Sequence, residues 1–166
     1  MSIDILLLRA DNAHLLQRVA ADVFDEQIDE RWTRRFLQDA SHHMMLAIDD
    51  DVVVGMASAV DYVHPDKAPQ LWINEVGVAS SHRRRGIGRM LIDALLAHGR
   101  TLGCTEAWLG TEHDNVPARA LYESAGSKPE PFVLYSFPLN SEAVDSGGVG
   151  SGEPSEGAHV SPVDPQ

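Results

Sequence analysis

The stretch His82–Gly88, HRRRGIG, sets three arginines against two closely spaced glycines in a chain that is otherwise acidic. Guanidinium groups suit an anion, and glycines let one approach the backbone because no Cβ stands in the way. From Gly86 onward Ile87, Leu91, Leu95, His98 and Leu102 recur at helical spacing until Gly103. The stretch therefore opens a helix, where unpaired N–H groups and the positive end of the dipole favour negative charge. A diphosphate or a ribose phosphate would use both features. Two other phosphate signatures fail. A P-loop needs Gly-Lys-Ser/Thr where Gly88 is followed by Arg89 and Met90, and a dinucleotide fingerprint needs a third glycine where Leu91 stands. A solvated basic turn with glycine at a tight bend remains the plain alternative.

The other reactive residue types carry less. Cys104 is the single cysteine, which excludes an intramolecular disulfide framework and a multi-cysteine metal site and suits a reducing compartment, the cytoplasm. It reads as a small buried hydrophobe at a strand start. His42 and His43 have no further ligands at useful spacing, so no metal is expected. His98 lies on the apolar face of its helix near the C-terminus, where it packs or caps.

The elements that must hold these residues follow from pattern. The 166 residues, 43% apolar and 23% charged, suit one compact core. A net charge of −12 argues against nucleic acid, which needs a basic footprint, and admits a cationic partner. No apolar run approaches a membrane span, and the N-terminus lacks the pattern of a signal peptide. Residues 141–166 hold five acids and no Lys or Arg, are rich in Ser, Gly and Pro, and are expected to be a disordered tail after a domain at 1–140.

Within the domain, residues 3–8 predict a strand, then two helices at Asp11–Asp25 and Asp29–Ala40, each opened by an acid. HHMMLAID and VVVGMASAVDYV, separated by Asp49–Asp51, predict a hairpin. A loop with Pro65 and Pro69 leads to a strand at 71–78, the helix at 86–102, a strand at 104–111, a helix from about Val116 to Ala125 and a last strand at 132–139. The fold class is α/β (α+β), in the order β-αα-βββ-α-β-α-β.

HRRRGIG after the strand INEVGV resembles the Q/R-x-x-G-x-G/A pyrophosphate loop of the GNAT acetyltransferase superfamily, with Arg83, Gly86 and Gly88 on the motif positions. DNVPARALYESAG (114–126) is similar to that family's Asn-x-x-Ala-x-x-Leu-Tyr-x-x-x-Gly helix, with Asn115, Ala118, Leu121, Tyr122 and Gly126 in register. One position departs: Ser127 stands where Phe is usual, which touches packing more than catalysis. The likeness covers roughly residues 3–138. Within it, residues 57–88 and the Pro-Ala-x-Ala-Leu-Tyr run resemble class I aminoglycoside 3-N-acetyltransferases, the gentamicin resistance enzymes.

The resemblance implies a GNAT fold, with a mixed, mostly antiparallel central sheet flanked by helices, and an acetyl-CoA-dependent N-acetyltransferase. It implies that the pyrophosphate lies on Arg83, Arg84, Arg85, Gly86, Ile87, Gly88 and Arg89, and the pantetheine between strands 71–78 and 104–111 beside Val76, Val78, Asn115 and Ala118. Those strands must splay. Gly77 is consistent with a bulge that begins the splay, or it is a glycine admitting a neighbouring side chain. A backbone N–H near Val76 would meet the acetyl carbonyl oxygen.

Attack by an amine requires the free base, and Glu75 is the candidate to remove the proton. It is a carboxylate in an otherwise apolar strand, where partial desolvation raises a pKa. The resembling enzymes carry an acid here, typically Asp. Tyr122 would protonate the departing thiolate, or it packs its helix. Asn115 would bond the pantetheine amide, or it caps its helix. Asp25, Glu26, Glu112 and Asp114 are expected on the rim of the acceptor site, where carboxylates would hold a cationic small-molecule amine such as an aminoglycoside. The bland reading of these acids is helix-dipole and solubility charge. The resemblance also allows a homodimer.

Overall fold

In the computed structural model, which describes residues 2–139, five strands form one sheet in the order β1-β2-β3-β4-β5. The strands are β1 (Asp4–Leu7), β2 (His42–Asp49), β3 (Val52–His64), β4 (Lys67–Val78) and β5 (Glu106–Trp108), and the helices are α1 (Glu30–Gln38), α2 (Ile87–Thr101) and α3 (Val116–Ser124). Neighbouring strands are antiparallel except β4 and β5, which run parallel. The expected tail at 141–166 lies outside the described residues. Among the described residues no helix is long and apolar enough to cross a membrane.

Alternation along the strands sends side chains to two faces. Met45, Ala47, Val54, Ala57, Leu71 and Ile73 pack with Ile87, Leu91 and Leu95 of α2. On the other face Leu46, Ile48, Val53 and Met56 pack with Leu8 and Val23, against Phe36 and Leu37 of α1. Burying side chains of this size contributes roughly 1.5–3 kcal/mol each, so the sheet is fixed from both sides. Gly55 and Gly99 allow α2 to sit close, because a Cβ on either would press on Ile87 and Leu91 or on Leu71.

Four expected elements differ from the structure. The helix expected at Asp11–Asp25 is one 3-10 turn, Ala13–Gln17. Asn12 closes a local turn by accepting from Arg9 N (2.7 Å) and donating to Leu7 O (3.0 Å). Residues 18–20 then run alongside β3, with Val53 N donating to Arg18 O and Ala20 N to Val53 O, both at 2.8 Å. Strand-like pairing thus outcompetes helix there. The loop expected around Pro65 and Pro69 is a tight turn, and Pro69 lies inside β4. The β3–β4 register slips between Tyr62 and His64, and the proline, which has no N–H to donate, falls in that slip. The strand expected at 132–139 does not form: residues 131–139 belong to no helix or strand. Val133, Tyr135, Phe137 and Leu139 are exposed there, and the sheet ends at β5. Residues 104–111 contribute only the three-residue β5.

Candidate active site

Strands β4 and β5 pair over just three positions, ending at Trp72 opposite Trp108. The two indoles meet edge to face at 4.1 Å, a contact worth about 0.5–1.5 kcal/mol beyond the area it buries. They close the paired region. Beyond them β4 changes course, because Ile73 pairs with Ala59 and Glu75 with Ser58, leaving Asn74 as an extra residue. This is the bulge, and it lies at Asn74 rather than at Gly77. A bulge bends its strand and re-aims the side chains beside it. Ile73 is buried, whereas Asn74 and Glu75 are both exposed, so strict alternation is broken where a carboxylate must leave the core.

Gly77 does admit a close neighbour, but that neighbour is backbone rather than the side chain expected. A Cβ on Gly77 would collide with the carbonyl oxygen of Val23. Val23 is itself 2% exposed, so the segment 18–25 is pinned across β4 through its backbone. Asp22, at φ 62°, continues the anchor by accepting from Ser80 Oγ at 3.0 Å. Asp25 is thereby brought close enough for its charge to act on Glu75. Desolvation, and secondarily the Asp25 charge, raise the Glu75 carboxyl above its ordinary value of 4.5.

The backbone beyond Glu75 is also oriented. Ala79 N donates to Val54 O at 2.9 Å, which makes Val54 and Ala79 a hydrogen-bonded pair of the antiparallel ladder. Gly55 with Val78 and Ala57 with Val76 are then the non-hydrogen-bonded pairs. The N–H and C=O groups of Val76 and Val78 consequently turn away from β3, toward the side on which β5 has parted. Arg83 Nε donates to Val78 O at 3.3 Å on that side.

The arginine loop follows. Gly86, at φ 78°, is the N-cap of α2, no side chain caps the helix, and a Cβ on Gly86 would meet nothing within 4 Å. The first N–H groups of α2, on Ile87, Gly88 and Arg89, therefore have no intrahelical acceptor. The Ile87 side chain is buried in the core, so this residue can offer a ligand only its backbone. Gly88 lets α3 approach, since a Cβ there would press on Leu121. Of the four arginines, Arg84 is exposed at φ 60°. Arg85 reaches Asp49 at 3.3 Å, and Arg89 donates to both oxygens of Asp93 at 2.8 Å and to Ser124 O.

On α3, Asn115 Oδ1 accepts from Ala118 N at 3.2 Å, the N-cap geometry. The Glu112 backbone N–H first, and the nearby Asn115 side chain second, hold the Glu112 carboxyl below its ordinary value. Tyr122 is half-buried, and burial, then the Glu112 charge, push its phenol above 10.0. Glu26 and Asp114 are exposed. The structure thus sets Glu75 near Asp25, and Tyr122 near Glu112.

Sequence reasoning missed Asn74, whose bulge shows only in the pairing, and the acid at Asp49. It also missed a part-buried chain in which His43 Nε2 meets Asp61 Oδ1 at 2.8 Å and His43 Nδ1 meets His98 Nε2 at 3.0 Å. Among the described residues no group of three His, Cys, Asp or Glu could hold a metal ion. Cavities lined by Leu71, Gly99 and Cys104, and by Trp32, Phe36 and His42, contain none of the candidate residues.

An uncapped helix start flanked by arginines, next to strands that part with their backbone groups turned outward, defines a domain for an extended, phosphate-bearing ligand. The chain belongs to the Acetyltransferase (GNAT) family, whose model matches residues 10–126. Acetyl-CoA is the cofactor of that family, and the open loop and outward-turned strand fit it. The chain is 32% identical over 97 residues to human N-acetyltransferase 8, spanning 58% of this chain and 43% of that one. It is 29% identical over 94 residues to aminoglycoside N(6')-acetyltransferase type 1 of Salmonella typhimurium, spanning 54% of this chain and 65% of the relative. The chain therefore spans less than two thirds of either relative. Its fold is similar to that of AAC(6')-Iy in complex with the bisubstrate analog CoA-S-monomethyl-acetylneamine, with a TM-score of 0.69 and 22% identity over 84% of this chain and all of the other.

Proposed function

We propose that the chain is an acetyl-CoA-dependent N-acetyltransferase acting on a primary amine of a cationic small molecule, an aminoglycoside. The observation that carries the reading is the Asn74 bulge, which turns Glu75 outward beside Asp25 on the strand whose Val76 and Val78 backbones face the parting of β4 and β5. Bound acetyl-CoA supplies an activated acyl group on a thiolate leaving group. Glu75, with its raised carboxyl, takes a proton from the incoming ammonium so that the nitrogen lone pair is free to attack. Tyr122, a phenol that stays protonated at neutral pH, would give a proton to the departing thiolate. Asn115 and Ala118 hold the start of α3 in register for this. The loop from Arg83 to Arg89 takes the pyrophosphate on backbone N–H groups and guanidinium charge.

The acceptor class is supported by charge and by likeness. Asp25 and Glu112 are exposed acids beside the proposed base and the proposed acid, with Glu26 and Asp114 adjacent in sequence. Several carboxylates would orient a polyamine sugar through charge-assisted hydrogen bonds. A relative named for aminoglycoside acetylation supports the same class. That relative is named for the 6' nitrogen, whereas the narrower sequence resemblance points to the 3-amino group, so NMR of the acetylated product assigns the position.

The test is thiol release from acetyl-CoA with gentamicin, sisomicin, a polyamine and an N-terminal peptide, for wild type and Glu75→Ala. Rapid release with gentamicin or sisomicin that is lost in the variant is expected. Release with only the polyamine or the peptide would replace the acceptor with another small amine or a protein N-terminus. Tight CoA binding with no release from any acceptor would make the chain a silent CoA-binding module.

A further inference from the structure

Three consecutive acids, Asp49, Asp50 and Asp51, form the β2–β3 corner, and only Asp49 is turned inward. Asp50 and Asp51 take left-handed backbone at φ 48° and 61°, making the tight hairpin turn, while Asp49 ends β2 at 9% exposure. Its Oδ2 accepts from His82 Nε2 at 3.2 Å and from Arg85 Nη1 at 3.3 Å. His82 is held on its other side by Ser81, whose Oγ lies 2.8 Å from Nδ1. A neutral ring that donates from Nε2 to the carboxylate accepts from the Ser81 hydroxyl at Nδ1, so both ring nitrogens are used.

The two residues gripped by this one carboxylate bracket Arg83 and Arg84. Arg84 has φ 60°, a conformation an L-residue other than glycine adopts at a cost and keeps only when its neighbours are fixed. We infer that Asp49 is the positioning residue of the arginine loop, holding His82 and Arg85 so that Arg83, Arg84 and the open start of α2 present a preformed phosphate cradle. The inference rests on the reading that this loop takes the cofactor's pyrophosphate. It assigns Arg85 as a tether rather than a phosphate ligand. A buried carboxylate beside an anion site repels the anion unless it is neutralised, and the Arg85 guanidinium sits where it neutralises Asp49 while His82 satisfies the same oxygen by a hydrogen bond.

Simple charge counting and positioning predict opposite signs, which makes the inference testable. Removing a negative charge near a phosphate, and freeing Arg85, would tighten CoA binding if Arg85 were a phosphate ligand held back by Asp49. If Asp49 positions the loop, Asp49→Asn weakens CoA binding by about tenfold. The KM for acetyl-CoA rises in step, and kcat at saturation stays within about twofold. Titration calorimetry with CoA reads the first effect and steady-state kinetics the second. Hydrogen exchange of the amides at 83–86, followed without cofactor, is expected to quicken in the variant.

Arg85→Gln, at a half-exposed side chain, keeps the question open to measurement should Asp49→Asn fold poorly, and it is expected to show the same weakened binding and faster loop exchange. Wild-type binding of CoA with equal or tighter binding by the Asp49→Asn variant, or by Arg85→Gln where the first does not fold, would overturn the inference alone. A wild type that bound no CoA would remove the functional reading and the inference together.

Discussion

The backbone of Val23 crosses β4 directly over Gly77, so close that a single methyl group on Gly77 would collide with the Val23 carbonyl oxygen. This crossing brings Asp25, two residues after Val23, near Glu75, two residues before Gly77. Gly77→Ala is therefore expected to push the segment 18–25 off the sheet. Overpacking of this kind costs about 1–3 kcal/mol, a fall in Tm of roughly 2–12 °C. Thermal unfolding followed by circular dichroism checks this, and an unchanged Tm would show that the crossing yields without cost.

As the proposed base, Glu75 must be ionised, and partial desolvation with the Asp25 charge raises its pKa above 4.5. The acid limb of kcat/KM is thus expected above the ordinary Glu value. Desolvation is the larger cause, so Asp25→Asn should move that limb only part of the way to lower pH. Glu75→Gln should lower kcat/KM by roughly 10²–10⁴-fold. A pH profile of thiol release measures both effects, and a limb that ignores Asp25→Asn would separate the two carboxylates.

For Tyr122 the sign is opposite in use. A proton donor must remain protonated, and burial together with the nearby Glu112 charge keeps the phenol above 10.0. Tyr122→Phe is expected to reduce kcat by about 10²-fold or more, with the KM for acetyl-CoA little changed. Glu112→Gln removes a negative neighbour that disfavours the phenolate, so the alkaline limb should move down in pH. If Tyr122→Phe keeps full kcat, the phenol serves packing alone.

The part-buried Asp61–His43–His98 chain makes a prediction about stability. Burial, then the His43 and Arg9 charges, lowers the His98 pKa from 6.5, so the unfolded chain takes up this proton more readily than the folded one. Stability from a neutral His98 is present above pH 6.5 and is lost as pH falls through the lower folded value. Urea unfolding of wild type at pH 7.5 and 5.5 should show the loss, and His98→Gln should flatten it.

Much of the local structure around the candidate site was legible because it is set by short, contiguous stretches. HRRRGIG predicts a glycine-opened helix, and the structure starts α2 there with Gly86 at positive φ. Asn115 before a helix suited either a pantetheine contact or a cap, and the cap is made. The Asp49–Asp51 hairpin formed for the same reason, since a turn is decided by a few adjacent residues. The helix expected at Asp11–Asp25 failed because its apolar residues satisfy two patterns, and an edge of β3 distant in sequence chose between them.

Local order, then, was determined by the sequence itself: the β2–β3 hairpin, the amphipathic α2, the open glycine start of that helix and the residue types able to move protons. Each depends on residues within a turn or two of one another. Pairing register and crossing were decided only in the tertiary structure. The bulge at Asn74, the passage of Val23 over Gly77, the grip of Asp49 on His82 and Arg85 and the meeting of Trp72 with Trp108 each join positions that no short-range pattern relates. They arise because buried backbone groups and carboxylates must find partners wherever the packed chain places them.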